Sequence, residues 1–208
     1  MDLSLDSQLF DLPPSPLKMH HSEQHTSHLL AKQLQSYFEH VPAFQQIVFV
    51  CIGTDRSTGD ALGPLVGSRL KKYNFSDIHL YGTLDDPVHA MNLKETLAEI
   101  EGKYSLPYIV GIDACLGQLA SVGCIQLAAG PLKPGAGVNK ELPSVGDIHM
   151  TGIVNVGGFM EYFVLQNTRL SLVMNMAEVI AKSIYIALLN TRRIQMFATN
   201  PISNRLGQ

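Results

Sequence analysis

Tryptophan is missing from this 208-residue chain, and cysteine nearly so, with three residues in all. An odd handful of thiols excludes a disulfide framework. Cys51, Cys115 and Cys124 lie in or beside apolar runs and read as buried free thiols of a reducing compartment. Charge is sparse, 16% of residues with a formal net charge of -3, so the electrostatic footprint of a nucleic-acid binder is lacking. No unbroken apolar run reaches the ~18 residues of a membrane span. The opening MDLSLDSQLFDLPPSPLKM is acidic and has no basic segment ahead of an apolar one, unlike a secretory signal. GxxxxGK[ST] is absent, and so is GxGxxG after the first strand, which sets aside phosphate-loop and dinucleotide chemistry. Ser57 has no GxSxG elbow, so it is not read as a nucleophile. These absences predict no nucleic-acid partner, no membrane and a cytoplasmic location; nothing in the composition speaks against a homo-oligomer.

What is present is apolar and periodic. Hydrophobic residues make up 46% of the chain, enough for one domain with a sizeable core. Pro13, Pro14 and Pro16 argue against regular structure at the start, so residues 1–25 are expected to be a flexible tail and 26–200 a single domain. His20, His21, His25 and His28 lack a Cys or acidic partner in register and read as a solvated His-rich segment rather than a metal site. Leu30, Leu34, Tyr37 and Phe38 predict a helix ending before Pro42.

The central stretch is Ile47 to Leu70. An apolar run, Ile47–Ile52, predicts a buried strand. A Gly-rich loop follows, then Asp60 and a helix carrying Leu62, Leu65, Val66 and Leu70, with Pro64 in its first turn. Further on, Asp77–Tyr81 reads as a strand. Asp86-Pro87 predicts the start of a helix bearing Ala90, Leu93, Leu97 and Ile100. Pro107–Ile112 is a third strand that ends in Asp113, and Val122–Ala129 a fourth. A loop from Gly130 leads to a helix begun near His149, with Ile153, Val156, Met160 and Phe163 on one face. Leu170–Met174 reads as a short strand, and Met176, Ile180, Ile184 and Ala187 as a last helix. This alternation predicts an α/β fold, a three-layer α/β/α sandwich around a mostly parallel sheet.

In such sheets ligands bind beyond the carboxyl ends of the strands. Asp60 and Asp113 are both expected there. Paired carboxylates can share a proton and act as acid and base, or hold a metal; a helix N-cap is the plainer role for Asp60. Adding His149 gives an Asp/Asp/His set suited to a divalent metal. Asp55 and Arg56 pair with each other or with substrate, or belong to a solvated loop. Lys140 and Glu141, in the loop 133–146, are expected to wall the substrate side.

The stretches GTDRSTGDALGPLVG, Ile112-Asp113-Ala114 and PGAGVNKELPSVGDIHMTGI resemble the YyaC-type sporulation proteins, relatives of the spore germination protease. They are also similar, in a phosphorylase/hydrolase-like α/β/α skeleton, to the hydrogenase maturation endopeptidases. The first resemblance implies an aspartic-type endopeptidase with Asp60 and Asp113 as its catalytic carboxylates, a protein or peptide substrate, and a place in the sporulating cell or forespore. The second implies a metal-dependent maturation endopeptidase with Asp60, Asp113 and His149 as ligands. Thr54 and Gly59 depart from the Asn and Asp those families tend to place there. A non-catalytic sporulation protein that keeps the pocket for binding is the third alternative.

Overall fold

The computed structural model describes residues 16–73, 78–135 and 142–191. Its frame is a six-stranded sheet. Strands β1 (Leu17–His20), β2 (Ile47–Cys51), β3 (Ile78–Tyr81), β4 (Tyr108–Gly117), β5 (Cys124–Ala129) and β6 (Ile148–Val156) lie in the order β1-β5-β6-β4-β2-β3. β3, β2, β4 and β6 pair in parallel, whereas β5 is antiparallel to both its neighbours. Thus β5 alone runs against the rest, and the mostly parallel sheet expected from the sequence is present.

Helices α1 (Thr26–Glu39), α2 (Leu62–Lys71) and α5 (Leu170–Asn190) cover one face, and α3 (Leu93–Lys103) covers part of the other. The short helix α4 (Glu161–Gln166) follows β6. β2 shows why the layers form. All five of its residues are buried. Ile47, Phe49 and Cys51 join the core under α1, α2 and α5, while Val48 and Val50 join the one under α3. A strand covered on both faces has no position for a polar residue, hence its unbroken apolar run. Phe38 of α1 meets Phe49 edge-on, with ring centroids 6.3 Å apart.

By length and composition α5 would suffice to cross a membrane, with a mean hydropathy of 1.6 over its most apolar window. Here Val173, Met176, Ala177, Ile180, Ile184, Ala187 and Leu188 of α5 are buried in the core. Glu178 and Lys182 interrupt the apolar run in the sequence.

Several elements differ from expectation. His149 does not begin a helix: it lies in β6, and only residues 161–166 of the stretch read as helical form one. Leu170–Met174 is the first part of α5, not a strand. α3 begins at Leu93 behind Asn92 rather than at Asp86-Pro87. Leu17–His20, in the segment expected to be a tail, pairs with β5 as an edge strand. Residues 1–15, and Arg192 and Arg193 past the last helix, lie outside the described residues.

Candidate active site

The Asp60 loop is fixed by close backbone approaches. The Gly53 amide donates to the Val88 carbonyl (2.8 Å) and the Ile52 amide to that of Ile112 (2.7 Å), which ties the end of β2 to its neighbours on both sides. The Thr54 amide donates to the Asp60 main-chain carbonyl (3.2 Å). Gly53, at φ 140°, passes so near that carbonyl that a Cβ there would lie 1.9 Å from its oxygen. Only glycine fits both the conformation and the space. Gly63, in the first turn of α2, presses on Ile52 in the same way. Asp60 sits inside a 3₁₀ turn, Gly59–Ala61, that leads into α2. It is not the expected N-cap of α2: Ala61 occupies that position and no side chain caps the helix. Its carboxylate is therefore not taken up in capping α2.

Asp113 does not terminate its strand, as the sequence reading had it. It is the sixth residue of β4, opposite Thr151 of β6. β2, however, ends opposite Ile112. The sheet is ragged at this edge, and Asp113 stands just beyond the shorter β2, where Asp60 also arrives. Only 7% of Asp113 is exposed. Its Oδ1 accepts a hydrogen bond from the Ala114 amide (2.8 Å).

The two carboxyls are electrostatically unequal. Burial pushes Asp113 well above the usual carboxylate range, the negative charge of Asp60 pushes it further, and the Ala114 amide offsets part of this. Burial also raises Asp60, but the Thr54 amide and His89 favour its charged form. Both carboxyls are thus pushed up, Asp113 the further of the two, so it is the member that holds a proton more tightly.

Of the other expected site residues, Asp55 is exposed on the loop between Gly53 and Asp60. Lys140 and Glu141 lie outside the described residues. The loop that carries them is rooted at the far edge of the sheet: Gly130 follows the reversed strand β5, and Asp147 bonds to Ile109 near the start of β4. His149 belongs to that end too. It faces Gly111 rather than Asp113 across β4 and β6, and its Nδ1 is hydrogen-bonded to the Gly130 carbonyl (2.7 Å). Among the described residues no three His, Cys, Asp or Glu side chains form a group able to hold a metal ion. The structure thus brings Asp60 and Asp113 together but does not assemble them with His149 as a ligand set.

Three features escaped the sequence reading. His89 follows Val88, the residue bonded to Gly53, and so enters the Asp60 surroundings. Its signal was available, since it lies in the loop after a parallel strand, at the edge where ligands bind. Cys115 points to the same face as Asp113, two residues on. Its thiol, pushed up to about 11 by burial and bonded to Thr151, is protonated at neutral pH and is no nucleophile. The Ser57 hydroxyl, in the loop ahead of Asp60, is buried without a hydrogen-bond partner among the described residues.

The family model described as "Protein of unknown function (DUF1256)" matches residues 18–183. A relative from Bacillus subtilis (strain 168), "Uncharacterized protein YyaC", is 52% identical over 187 residues, covering 88% of this chain and 90% of its own. Among solved structures, the [NiFe] hydrogenase maturation protease HycI from Thermococcus kodakarensis KOD1 is similar with a TM-score of 0.45 at 19% identity, over 68% of this chain and 93% of that one.

Proposed function

The chain belongs to the DUF1256 family, and on that premise we propose that it is a peptidase that hydrolyses a peptide bond with the Asp60–Asp113 pair. The observation that carries this reading is the meeting of two carboxyls at one edge of the sheet: Asp113, buried just past the end of β2, beside Asp60, whose charge raises Asp113 further than Asp60 itself is raised. General acid–base catalysis needs both forms within reach of one substrate.

In the proposed reaction Asp60 takes a proton from water as the water oxygen bonds to the peptide carbonyl carbon. Asp113 gives its proton to the carbonyl oxygen, and a neutral tetrahedral diol results. In the second step Asp60 returns its proton to the amide nitrogen, the C–N bond breaks, and Asp113 recovers a proton from a diol hydroxyl as the new carboxyl group forms. Atoms and charge balance over the two steps, and no step passes through a metal. The substrate is a protein or peptide, met in the cytoplasm of the sporulating cell or forespore, as the family resemblance implies.

The test is digestion of small acid-soluble spore protein and of a mixed peptide library by the wild type, Asp60→Asn and Asp113→Asn. Wild-type cleavage that falls by at least about 100-fold in each variant is expected, as for loss of a general acid or base. Cleavage by wild type and both variants alike would refute the assignment. If the wild type cuts nothing while its melting curve shows a folded protein, the non-catalytic binding alternative replaces hydrolysis.

A further inference from the structure

β2 ends between β3 and β4, and three residues that carry chemistry stand around its end. Asp113 comes from the β4 side and Asp60 from the loop that follows β2. His89 comes from the β3 side. Ile52 bridges Val88 in parallel, and the Gly53 amide donates to the Val88 carbonyl (2.8 Å). Gly53 in turn lies against the Asp60 main chain, where a Cβ would come within 1.9 Å of the carbonyl oxygen. His89 and Asp60 therefore approach one glycine from two sides, and His89 is near enough to act electrostatically on Asp60.

The turn around His89 is closely held. Its amide donates to Asn92 Oδ1 (2.8 Å), and its carbonyl accepts from the amides of Asn92 (3.1 Å) and Leu93 (2.9 Å). Asn92 Nδ2 donates to the Pro87 carbonyl (3.0 Å). Val88 and Leu93, to either side, are buried in the core under α3. His89 itself is half-buried, and its ring is held as well: the Met91 amide donates to Nδ1 (3.3 Å). A ring nitrogen that accepts a hydrogen bond carries no hydrogen, so the ring's single hydrogen is on Nε2. Nε2 makes no hydrogen bond among the described residues. The ring thus offers a donor, fixed from behind, at the edge of the sheet where ligands bind.

We infer that His89 is a third catalytic residue, whose Nε2–H donates a hydrogen bond to the carbonyl oxygen of the peptide bond being cut. A carbonyl oxygen has two lone pairs, so it can accept from His89 and from Asp113 together. As the water oxygen bonds to the carbon, negative charge develops on the carbonyl oxygen and the bond from His89 strengthens. The proton that is transferred comes from Asp113. His89 neither gives up a proton nor takes one, so the two steps of the reaction balance as before. Past the end of β2 the lines of β3 and β4 are two strand separations apart, about 10 Å, which leaves the width of one extended peptide between His89 and Asp113. The inference rests on the peptidase reading for its substrate; the position of the ring hydrogen is measured without turnover.

Two variants of the full-length protein separate the two ring nitrogens. His89→Asn keeps an acceptor near Nδ1, and so the turn, but has no donor at Nε2. His89→Gln reaches the Nε2 position with an N–H. With small acid-soluble spore protein as substrate, His89→Asn is expected to lower kcat by about 100-fold, the size of losing one oxyanion donor, with KM within about threefold and the melting temperature unchanged. His89→Gln should recover kcat to within about tenfold of the wild type. Full kcat in His89→Asn overturns the inference. So does an equal loss in both variants with a lowered melting temperature, since the ring would then serve only the turn. Long-range proton–nitrogen NMR of histidine-labelled protein is expected to show His89 as the Nε2–H tautomer; the Nδ1–H tautomer overturns the donor whether or not the protein cuts. If the wild type cuts nothing, hydrolysis fails on its own, and fluorescently labelled small acid-soluble spore protein is scored for binding by anisotropy. Binding weakened about fivefold by His89→Asn and kept by His89→Gln supports the donor, and equal affinity in all three proteins overturns it.

Discussion

Asp113 determines how this protein answers to pH. Its folded-state pKa is raised, chiefly by burial and then by Asp60. The sign follows from linkage. A carboxyl that holds its proton more tightly when folded stabilises the fold below its unfolded pKa, near 3.9, and that contribution is lost as pH rises toward the folded value. Each pH unit between the two costs about 1.4 kcal/mol. Asp113→Asn, close in shape to the protonated acid, is therefore expected to match the wild type near pH 4 and to exceed it in stability at pH 8. Denaturant midpoints at the two pH values measure this, and a gap that narrows with rising pH would contradict the assignment. Under the proposed hydrolysis, the rate should follow a bell set by the pair as a unit, with its optimum above the usual carboxylate range because burial raises both members.

At the scale of elements, the start of α2 is a tight joint. A Cβ at Gly63 would lie 2.1 Å from the Ile52 carbonyl oxygen, and backbone on both sides leaves nothing to yield. Gly63→Ala is expected to cost about 3 kcal/mol, or a fall in melting temperature of roughly 6–12 °C for a chain of this size. A calorimetric scan would show it, and a shift under 2 °C would mean that α2 can move off β2. This joint was legible in the sequence, because a buried apolar run, glycines and a proline in the first helical turn leave few alternatives. β6 and α5 were not. Ile153 and Val156 fit helical spacing, but β6 is covered from one side by the α5 core and half-open on the other, so it alternates: Ile148, Met150 and Val154 are buried, His149 and Thr151 half-buried. A period of two and a period of 3.6 share positions over so short a run. Leu170–Met174, apolar and brief, looks like a strand only until its continuity with Met176 and Ile180 is seen. The aspartates were legible as a pair because both lie at the carboxyl edge of one parallel sheet, Asp60 in the loop after β2 and Asp113 within β4 just past the end of β2. His149 was misplaced with them because taking it as a helix start put it at the wrong edge.

For the molecule as a whole, the two sheet edges differ. β3 at one end packs beside α3, its Tyr81 hydroxyl bonded to Glu99 (3.2 Å). β1 at the other is four residues long and shields β5. Pro13, Pro14 and Pro16 concealed β1 from the sequence reading, although Leu17-Lys18-Met19-His20 alternates as an edge strand should. Removing residues 1–20 would leave the outer edge of β5 unpaired, an invitation to intermolecular pairing. The shortened protein is expected to elute from size exclusion as aggregates where the full chain does not; clean elution at an unchanged volume would show that β1 is dispensable.

The pairing of β1 with β5 also has a meaning in time. Leu17 meets Leu127, so more than one hundred residues must be in place before this contact can form, and the loop it closes is among the longest in the chain. Such a contact joins late and opens early. The Asp60–Asp113 pair needs no such long closure, since β2 and β4, which bring it together, are paired neighbours.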